Sequence, residues 1–390
     1  MRPEEFTSQR SGRLHWIGEG DTRNPFFLPE PLPPKDLDWG RLVSDLAVAQ
    51  QAISEAEGMA RQIPNPKVFL GPLLRLEALS SARIEGTRAE LTDILVPRET
   101  REEPEIQEVF NNIAATTRGM NWVREGKPFS TWLIRAIHQE IGAGIKRWVG
   151  QPGAFRRTQN WIGAPGSKIT EATFVPPPPE HIEAMVTNLC DFADKNLKTG
   201  EFPHLVAAAL LHYQFECIHP FLDGNGRVGR ILMLIYLSMA RVITEPIIPV
   251  SVFLERSRDA YLESLLMVSQ KGDYEGWIRF MLRIIGQASK DTAHRLRELD
   301  SLRKDYEDRV KGMGEGALRT LDLLFENVIV DTSMVEALLG VSYFDARKTL
   351  LRLEHAGMVR MSKARGKRGK KNLYVASEVL ETLEKPLIES

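Results

Sequence analysis

The chain has 390 residues, of which 43% are hydrophobic and 26% charged. At roughly 150 residues per domain that length suggests two or three domains, and the proportions are those of a soluble globular protein with a large core. A collagen, a disulfide-knotted peptide and a single small module are excluded. Lys and Arg number 51 against 52 Asp and Glu, a formal net charge of −1. No overall field therefore draws the chain to nucleic acid or to an anionic membrane, and any basic patch must be local.

The two cysteines, Cys190 and Cys217, cannot build a four-thiolate zinc site or a disulfide framework, so a cytoplasmic location is expected. The opening MRPEEFTSQR has no apolar region of the kind a signal peptide needs. The richest apolar stretch, Ile231 to Ala240, is stopped by Arg241. It falls short of the ~20 residues that span a bilayer, and no membrane partner is expected.

Residues 1–38 read as an irregular N-terminal arm, dense in proline over NPFFLPEPLPPKD. Helical periodicity starts near Trp39 and continues through Leu42, Leu46, Ala49 and Ile53. A second helix is predicted over about 68–86, stopped by Gly86. Thr87 with Glu90 looks like the capping box of the next. Pro104–Gly119 and Phe129–Ile145 continue the helical pattern. The pattern breaks over about 153–176, where strand-like pieces at Gln159–Ile162 and Thr173–Val175 flank the turn-rich APGSK and predict a β-hairpin. Helices resume at His181 and Pro203, and again from about Asp259 to Lys311. Gly312, Gly314 and Gly316 make a linker.

The segment HPFLDGNGRVGR, His219 to Arg230, is a loop between two apolar helices. Gly224, Asn225 and Gly226 let the backbone approach a ligand closely. The first N–H groups of the following helix have no intrahelical partner and form an anion site. Arg227 and Arg230, three apart, share a helical face near it. One loop thus offers an imidazole, a carboxylate, backbone donors and two guanidiniums, the parts wanted for transfer of a phosphorus group from a nucleotide.

This stretch resembles the signature of the Fic family, His-x-Phe-x-Asp/Glu-Gly-Asn-Gly-Arg-x-x-Arg, at every specified position: His219, Phe221, Asp223, Gly224, Asn225, Gly226, Arg227 and Arg230. The resemblance implies a nucleotidyltransferase that moves AMP from ATP to a Tyr, Thr or Ser hydroxyl of a protein target, or of the protein itself. His219 would be the general base and Asp223 would hold Mg²⁺. Gly224, Asn225 and Gly226 would form the phosphate-binding hole, and Arg227 and Arg230 would neutralise the outer phosphates. Phe221 is expected to pack inward and fix the loop. A kinase branch of the family carries Ala and Lys where Gly and Arg stand here, which favours AMP transfer over phosphoryl transfer.

Ser81, Glu85 and Gly86 match the family's inhibitory-helix pattern. A glutamate at a helix C-terminus is unfavourable by about 0.3–1 kcal/mol, and the resemblance supplies Arg230 as the cation that offsets it. Autoinhibition by a Glu85–Arg230 pair follows as an expectation. FRRTQNWIG resembles the family's flap, whose edge, with Trp161 and Ile162, would dock the target segment. SRDAYLESL is similar to a family segment that places a tyrosine at the nucleotide base, which points to Tyr261; Ser257 and Leu262 depart from that segment.

From Ala317 onward the pattern is three helices and a hairpin, with Ser342 and Asp345 as a cap for the third helix. It looks like a winged helix over 317–390. Tyr343, Arg347, Lys348 and Arg352 would lie on its third helix, and Lys363, Arg365, Lys367, Arg368, Lys370 and Lys371 on the wing. DNA contact and a protein-interaction or homodimer role both remain open for this module.

The expected fold is mostly α: a Fic-type helical bundle over 39–311 with a β-hairpin flap, followed by the winged helix. The expected function is protein AMP transfer with ATP and Mg²⁺. Two alternatives stand beside it, a nucleotide-sensing DNA-binding regulator and a hydrolase that removes AMP.

Overall fold

The computed structural model describes residues 1–20, 23–63, 65, 67–96, 104–164, 166–366 and 369–385, with backbone alone for 363–366 and 369–371. In chain order, β1 (Gly12–Ile17) and β2 (Asn24–Pro29) precede the helices α1 (Val43–Gln62), α2 (Lys67–Ile84), α3 (Leu91–Leu95), α4 (Pro104–Arg124) and α5 (Thr131–Gly142). Then come α6 (Pro179–Thr199), α7 (His204–Ile218), α8 (Asn225–Met239), α9 (Val250–Arg256), α10 (Arg258–Lys271) and α11 (Tyr274–Arg309). The last elements are α12 (Glu315–Asn327), β3 (Ile329–Asp331), α13 (Thr332–Leu339), α14 (Tyr343–His355), β4 (Arg360–Gly366), β5 (Gly369–Val375) and α15 (Ser377–Glu384). Among the described residues no helix is long and apolar enough to cross a membrane.

Contacts group the chain into two units: residues 1–51, 111–244 and 253–286, and residues 52–110, 245–252 and 287–390. The sequence expectation kept 39–311 together. Here 52–110, 245–252 and 287–311 cluster with the C-terminal elements.

In the first unit, β1 and β2 pair antiparallel, Gly12 opposite Pro29 and Ile17 opposite Asn24. The irregular arm expected over 1–38 is thus partly an ordered ribbon. Pro25 and Pro29, which signalled irregularity, sit within β2, because a strand with an unpaired edge tolerates the loss of an N–H. The centre of the unit is α7. It is apolar all round, and every residue from Leu205 to Phe215 is buried, as an apolar helix requires. Gly119 of α4 lets α8 approach, since a Cβ there would lie 2.5 Å from Ile235 Cδ1. Trp277 of α11 donates its indole N–H to Ala209 O at 2.8 Å. Buried Asn196 of α6 accepts from Phe202 N at 2.8 Å and donates to Tyr236 Oη at 2.8 Å.

The predicted flap hairpin is reduced to one antiparallel bridge, Ile162 with Phe174. Ile162 N–H donates to Phe174 O at 2.8 Å, and Thr173 N–H and Phe174 N–H donate back to Ile162 O at 2.8 and 3.1 Å. The prolines that follow at 176–179 have no N–H with which to extend the ladder.

In the second unit α2 lies close against α12. A Cβ at Gly71 would come 2.6 Å from Glu326 O, and Phe69 meets Phe325 edge-on with ring centroids 5.6 Å apart. Arg75 Nη1 donates to Glu326 O at 3.0 Å, placing a cation at the negative end of α12. Buried Glu77 accepts from Ser251 N at 2.7 Å and from the Ser251 hydroxyl. The capping box after α2 uses Glu90 and Asp93 and not Thr87 and Glu90; Thr87 N–H instead donates to Ala82 O, closing the end of α2. The C-terminal module runs helix, strand, two helices, two strands and a last helix, with sheet order β3-β5-β4. Asp345 N–H donates to Ser342 Oγ at 3.2 Å, the expected cap of α14. Strand β3 escaped the sequence pattern because three residues are too few to show alternation. Lys363, Arg365, Lys370 and Lys371 stand at backbone-only positions, and Lys367 and Arg368 lie outside the described residues.

Candidate active site

Helix α7 ends in a residue of left-handed backbone. His219 has φ 49° and ψ 59°, and its N–H donates to Phe215 O at 3.0 Å. Few non-glycine residues adopt this conformation. Its ring Nδ1 lies 3.2 Å from Glu216 O. A carbonyl only accepts, so Nδ1 carries the proton and Nε2 keeps the lone pair. The side chain is 20% exposed, enough for a reactant to reach it.

The loop closes on itself through Asn225. Phe221 N–H donates to Asn225 Oδ1, and Asn225 Nδ2 donates to Phe221 O, both at 2.9 Å. The Asn225 side chain is therefore engaged in shaping the loop, and its backbone N–H stands in the first turn of α8. Gly224 caps α8 with φ 76°, and a Cβ there would come 2.6 Å from the Trp148 ring. Both facts demand glycine. Asn225, Gly226 and Arg227 then supply the first N–H groups of α8, which have no acceptor within the helix.

Asp223 is partly exposed, and its Oδ1 accepts from Arg227 Nη2 at 3.2 Å. The Arg227 guanidinium also lies over the Trp148 ring, 5.2 Å from its centroid. Arg230 is buried one turn on. Among the described residues no group of three or more His, Cys, Asp or Glu could hold a metal ion. Asp223 alone suits Mg²⁺, which is bound by one or two carboxylates together with substrate phosphates and water.

Three residues behind the loop carry no mark in the motif. His138 of α5 accepts from Gly153 N–H through Nδ1 at 2.7 Å, and its Nε2 lies 3.1 Å from Asp223 O. With Nδ1 accepting, Nε2 bears the proton and donates. Burial holds this imidazole down at about 4, with the Arg227 charge acting the same way and the Asp223 bond opposing. Arg156 is buried, and its Nε donates to His219 O at 2.9 Å. Gly229 permits close approach of α8 to α7, since a Cβ there would lie 2.3 Å from Glu216 Oε1 and 3.1 Å from the His212 ring. His138 breaks the apolar stripe of Leu133, Ile134, Ile137 and Ile141 on α5, a signal that could have drawn notice. Arg156 and Gly229 left none.

Phe221 is fully buried, as expected. Tyr261, expected at the nucleotide base, is 2% exposed, with its hydroxyl 2.8 Å from His212 Nε2 and its ring stacked on His212 at 5.9 Å, within a core network. Burial first, then the charge of Arg230, pulls His212 down to about 3. Trp161 and Ile162 are exposed, and Trp161 Nε1 donates to Ser167 O at 3.0 Å. A cavity of about 300 Å³ beside the loop is lined by His138, Val149, Phe155, Arg156 and Leu222 among others. Ser81 is buried in α2, and Glu85 is exposed just past its end. Both belong to the second unit, whereas residues 219–230 belong to the first.

The Fic/DOC family model matches residues 128–237, and the Fic/DOC family N-terminal model matches residues 43–121. Among named relatives, protein adenylyltransferase Fic of Drosophila willistoni is 30% identical over 148 residues, 38% of this chain and 26% of the relative. That of Drosophila grimshawi is 27% identical over 254 residues, 63% of this chain and 47% of the relative. The chain thus spans about a quarter to a half of the length of these relatives. A Fic family protein from Desulfovibrio desulfuricans superposes with a TM-score of 0.54 at 20% identity, covering 88% of this chain and 98% of that one. A Fic domain containing signaling protein from Bacteroides thetaiotaomicron gives 0.50 at 18%, covering 63% and 98%. Those two likenesses speak for the fold, and over residues 43–121 and 128–237 the chain is similar to the Fic/DOC family.

Proposed function

We propose that the protein transfers AMP from ATP to a hydroxyl of a protein target. The observation that carries this reading is the pairing of His219, whose Nδ1–H is committed to the Glu216 carbonyl, with the donor-rich start of α8. His219 Nε2 is the lone-pair nitrogen and takes the proton as a Tyr, Thr or Ser oxygen attacks the α-phosphate. A bond forms from that oxygen to the α-phosphorus, the bond to the β-phosphate bridge breaks, and pyrophosphate leaves. The N–H groups of Asn225, Gly226 and Arg227 face the developing charge, an arrangement that costs no reorganisation during the reaction. Arg227 and Arg230 neutralise the outer phosphates. Asp223 would hold Mg²⁺, whose charge offsets that of the phosphates. The relatives named adenylyltransferases support the same chemistry. The exposed Trp161 and Ile162 suit docking of a target segment beside the loop.

The match of Ser81, Glu85 and Gly86 to the inhibitory pattern supports a brake in which Glu85 pairs with Arg230 and displaces the γ-phosphate. Glu85 lies exposed at the C-terminal end of α2, where the helix dipole favours a cation beside a carboxylate. A second role is favoured by the exposed Tyr343, Arg347 and Lys348 on α14. With Arg352 they form a basic helix face suited to nucleic-acid phosphates.

The test of AMP transfer compares ATP labelled at the α-phosphate with ATP labelled at the γ-phosphate. Acid-stable label on protein from the first only is the expected result. Label from the second would mean phosphoryl transfer and would overturn the proposal.

A further inference from the structure

We infer that Arg156 is a positioning residue for His219, and that it ties the backbone of that histidine to both ends of the 158–177 segment carrying Trp161 and Ile162. This rests on the reading of His219 as the base for AMP transfer.

Arg156 is 3% exposed, and among the described residues its guanidinium donates to backbone carbonyls. Nε reaches His219 O at 2.9 Å and Nη2 reaches Ile218 O at 3.4 Å. Nη1 reaches Thr158 O at 3.3 Å, and Nη2 also reaches Pro177 O. The main-chain N–H of the same residue donates to Pro220 O at 2.9 Å. Three consecutive carbonyls, those of Ile218, His219 and Pro220, are thus held by one amino acid. They follow the C-terminal end of α7, where helix carbonyls lack partners and the dipole is negative, so a cationic donor is favoured there.

The geometry also answers why His219 keeps an unusual backbone. A left-handed non-glycine residue is strained and persists only where its surroundings over-determine it. The bond from Phe215 O to His219 N fixes one side of the peptide, and Arg156 fixes the other. The direction of the imidazole follows from that backbone. Burial lowers the guanidinium to about 10, with Glu180 opposing, so it stays charged at neutral pH. Lysine would replace it only in part, because a single ammonium cannot match a planar fork that serves carbonyls on two sides.

Thr158 and Pro177 bracket the segment that contains the Ile162–Phe174 bridge. Its two ends and the base therefore meet at one side chain. A target strand that settles on this segment would press on the same guanidinium that aims His219.

The test uses the full chain with Arg156→Lys, Arg156→Gln and His219→Ala, each checked by thermal unfolding. ATP affinity, KM for ATP and kcat for AMP transfer are measured well below each melting temperature. The expected result is a fall in kcat of about 100-fold in Arg156→Gln, as a displaced reacting group commonly causes. A smaller fall is expected in Arg156→Lys, with ATP affinity within about threefold of the parent because the phosphates are held by α8. A merely structural role would lower the melting temperature and leave kcat of the folded protein unchanged, which would overturn the inference. The second readout is the nitrogen chemical shifts of the His219 ring. One tautomer with Nδ1–H is expected in the parent and a tautomer mixture in Arg156→Lys; an unchanged ring overturns the inference even if Arg156→Gln does not fold. If the parent transfers no AMP, the AMP-transfer reading fails, and the ring shifts still decide the positioning of His219.

Discussion

His138 and Phe221 lie face to face, their ring centroids 3.6 Å apart and their planes 6° from parallel. The histidine comes from α5 and the phenylalanine from the loop between α7 and α8. The stack therefore joins the loop to the helix behind it, and the His138 bond to Asp223 O continues the same join. Phe221 also meets Phe155 at 5.3 Å. Phe221→Ala empties a filled site and should cost about 3–5 kcal/mol of stability. Urea unfolding checks this, and a loss under 1 kcal/mol would show that the loop does not depend on the stack.

Acid should weaken the fold through two imidazoles. His138 is held down at about 4 and His212 at about 3, in both cases mainly by burial. Above the unfolded value near 6.5 both states are neutral and neither residue affects the pH dependence. Below it the unfolded chain takes up protons that the folded chain refuses, so stability is lost as pH falls towards the folded values. At pH 5 each residue should contribute a loss of about 2 kcal/mol. Unfolding free energies at pH 7, 6 and 5, with an NMR titration of both rings, check this. Rings that titrate near 6.5 would contradict it.

Gly224 should tolerate no side chain. Its φ of 76° and the 2.6 Å approach of Trp148 place strain and a clash at one atom. Gly224→Ala is expected to lose about 1–2 kcal/mol from backbone conformation alone, with further loss from displacing Trp148. Because Trp148 also supports Arg227, ATP affinity should fall at least tenfold. Calorimetric titration with ATP measures it, and parental affinity would argue against this account of the loop.

The loop itself was legible in the sequence because its requirements are contiguous. Two glycines, a carboxylate and two arginines at fixed spacing leave little freedom of residue type. His138 showed only as a break in the apolar stripe of α5, and Arg156 not at all, because both bond to backbone groups that any residue can present. A carbonyl of His219 leaves no trace at position 156. Tyr261 was reached through a resemblance alone, and its burial was not legible because its partner His212 lies 49 residues away. The ribbon of β1 and β2 was hidden by prolines that an edge strand accepts. The flap was expected as a hairpin because turn residues were visible, whereas the carbonyls of Thr158 and Pro177, which Arg156 holds, were not.

The account stands most directly on AMP transfer measured with α-labelled ATP in three proteins, the intact chain, Glu85→Gly and His219→Ala. Incorporation should rise at least tenfold in Glu85→Gly, as loss of a competing charge pair of about 1.4 kcal/mol or more requires. It should vanish in His219→Ala with ATP still bound. Incorporation that survives in His219→Ala, or that is absent from all three while ATP binds normally, would contradict the assignment of this loop as the site of AMP transfer.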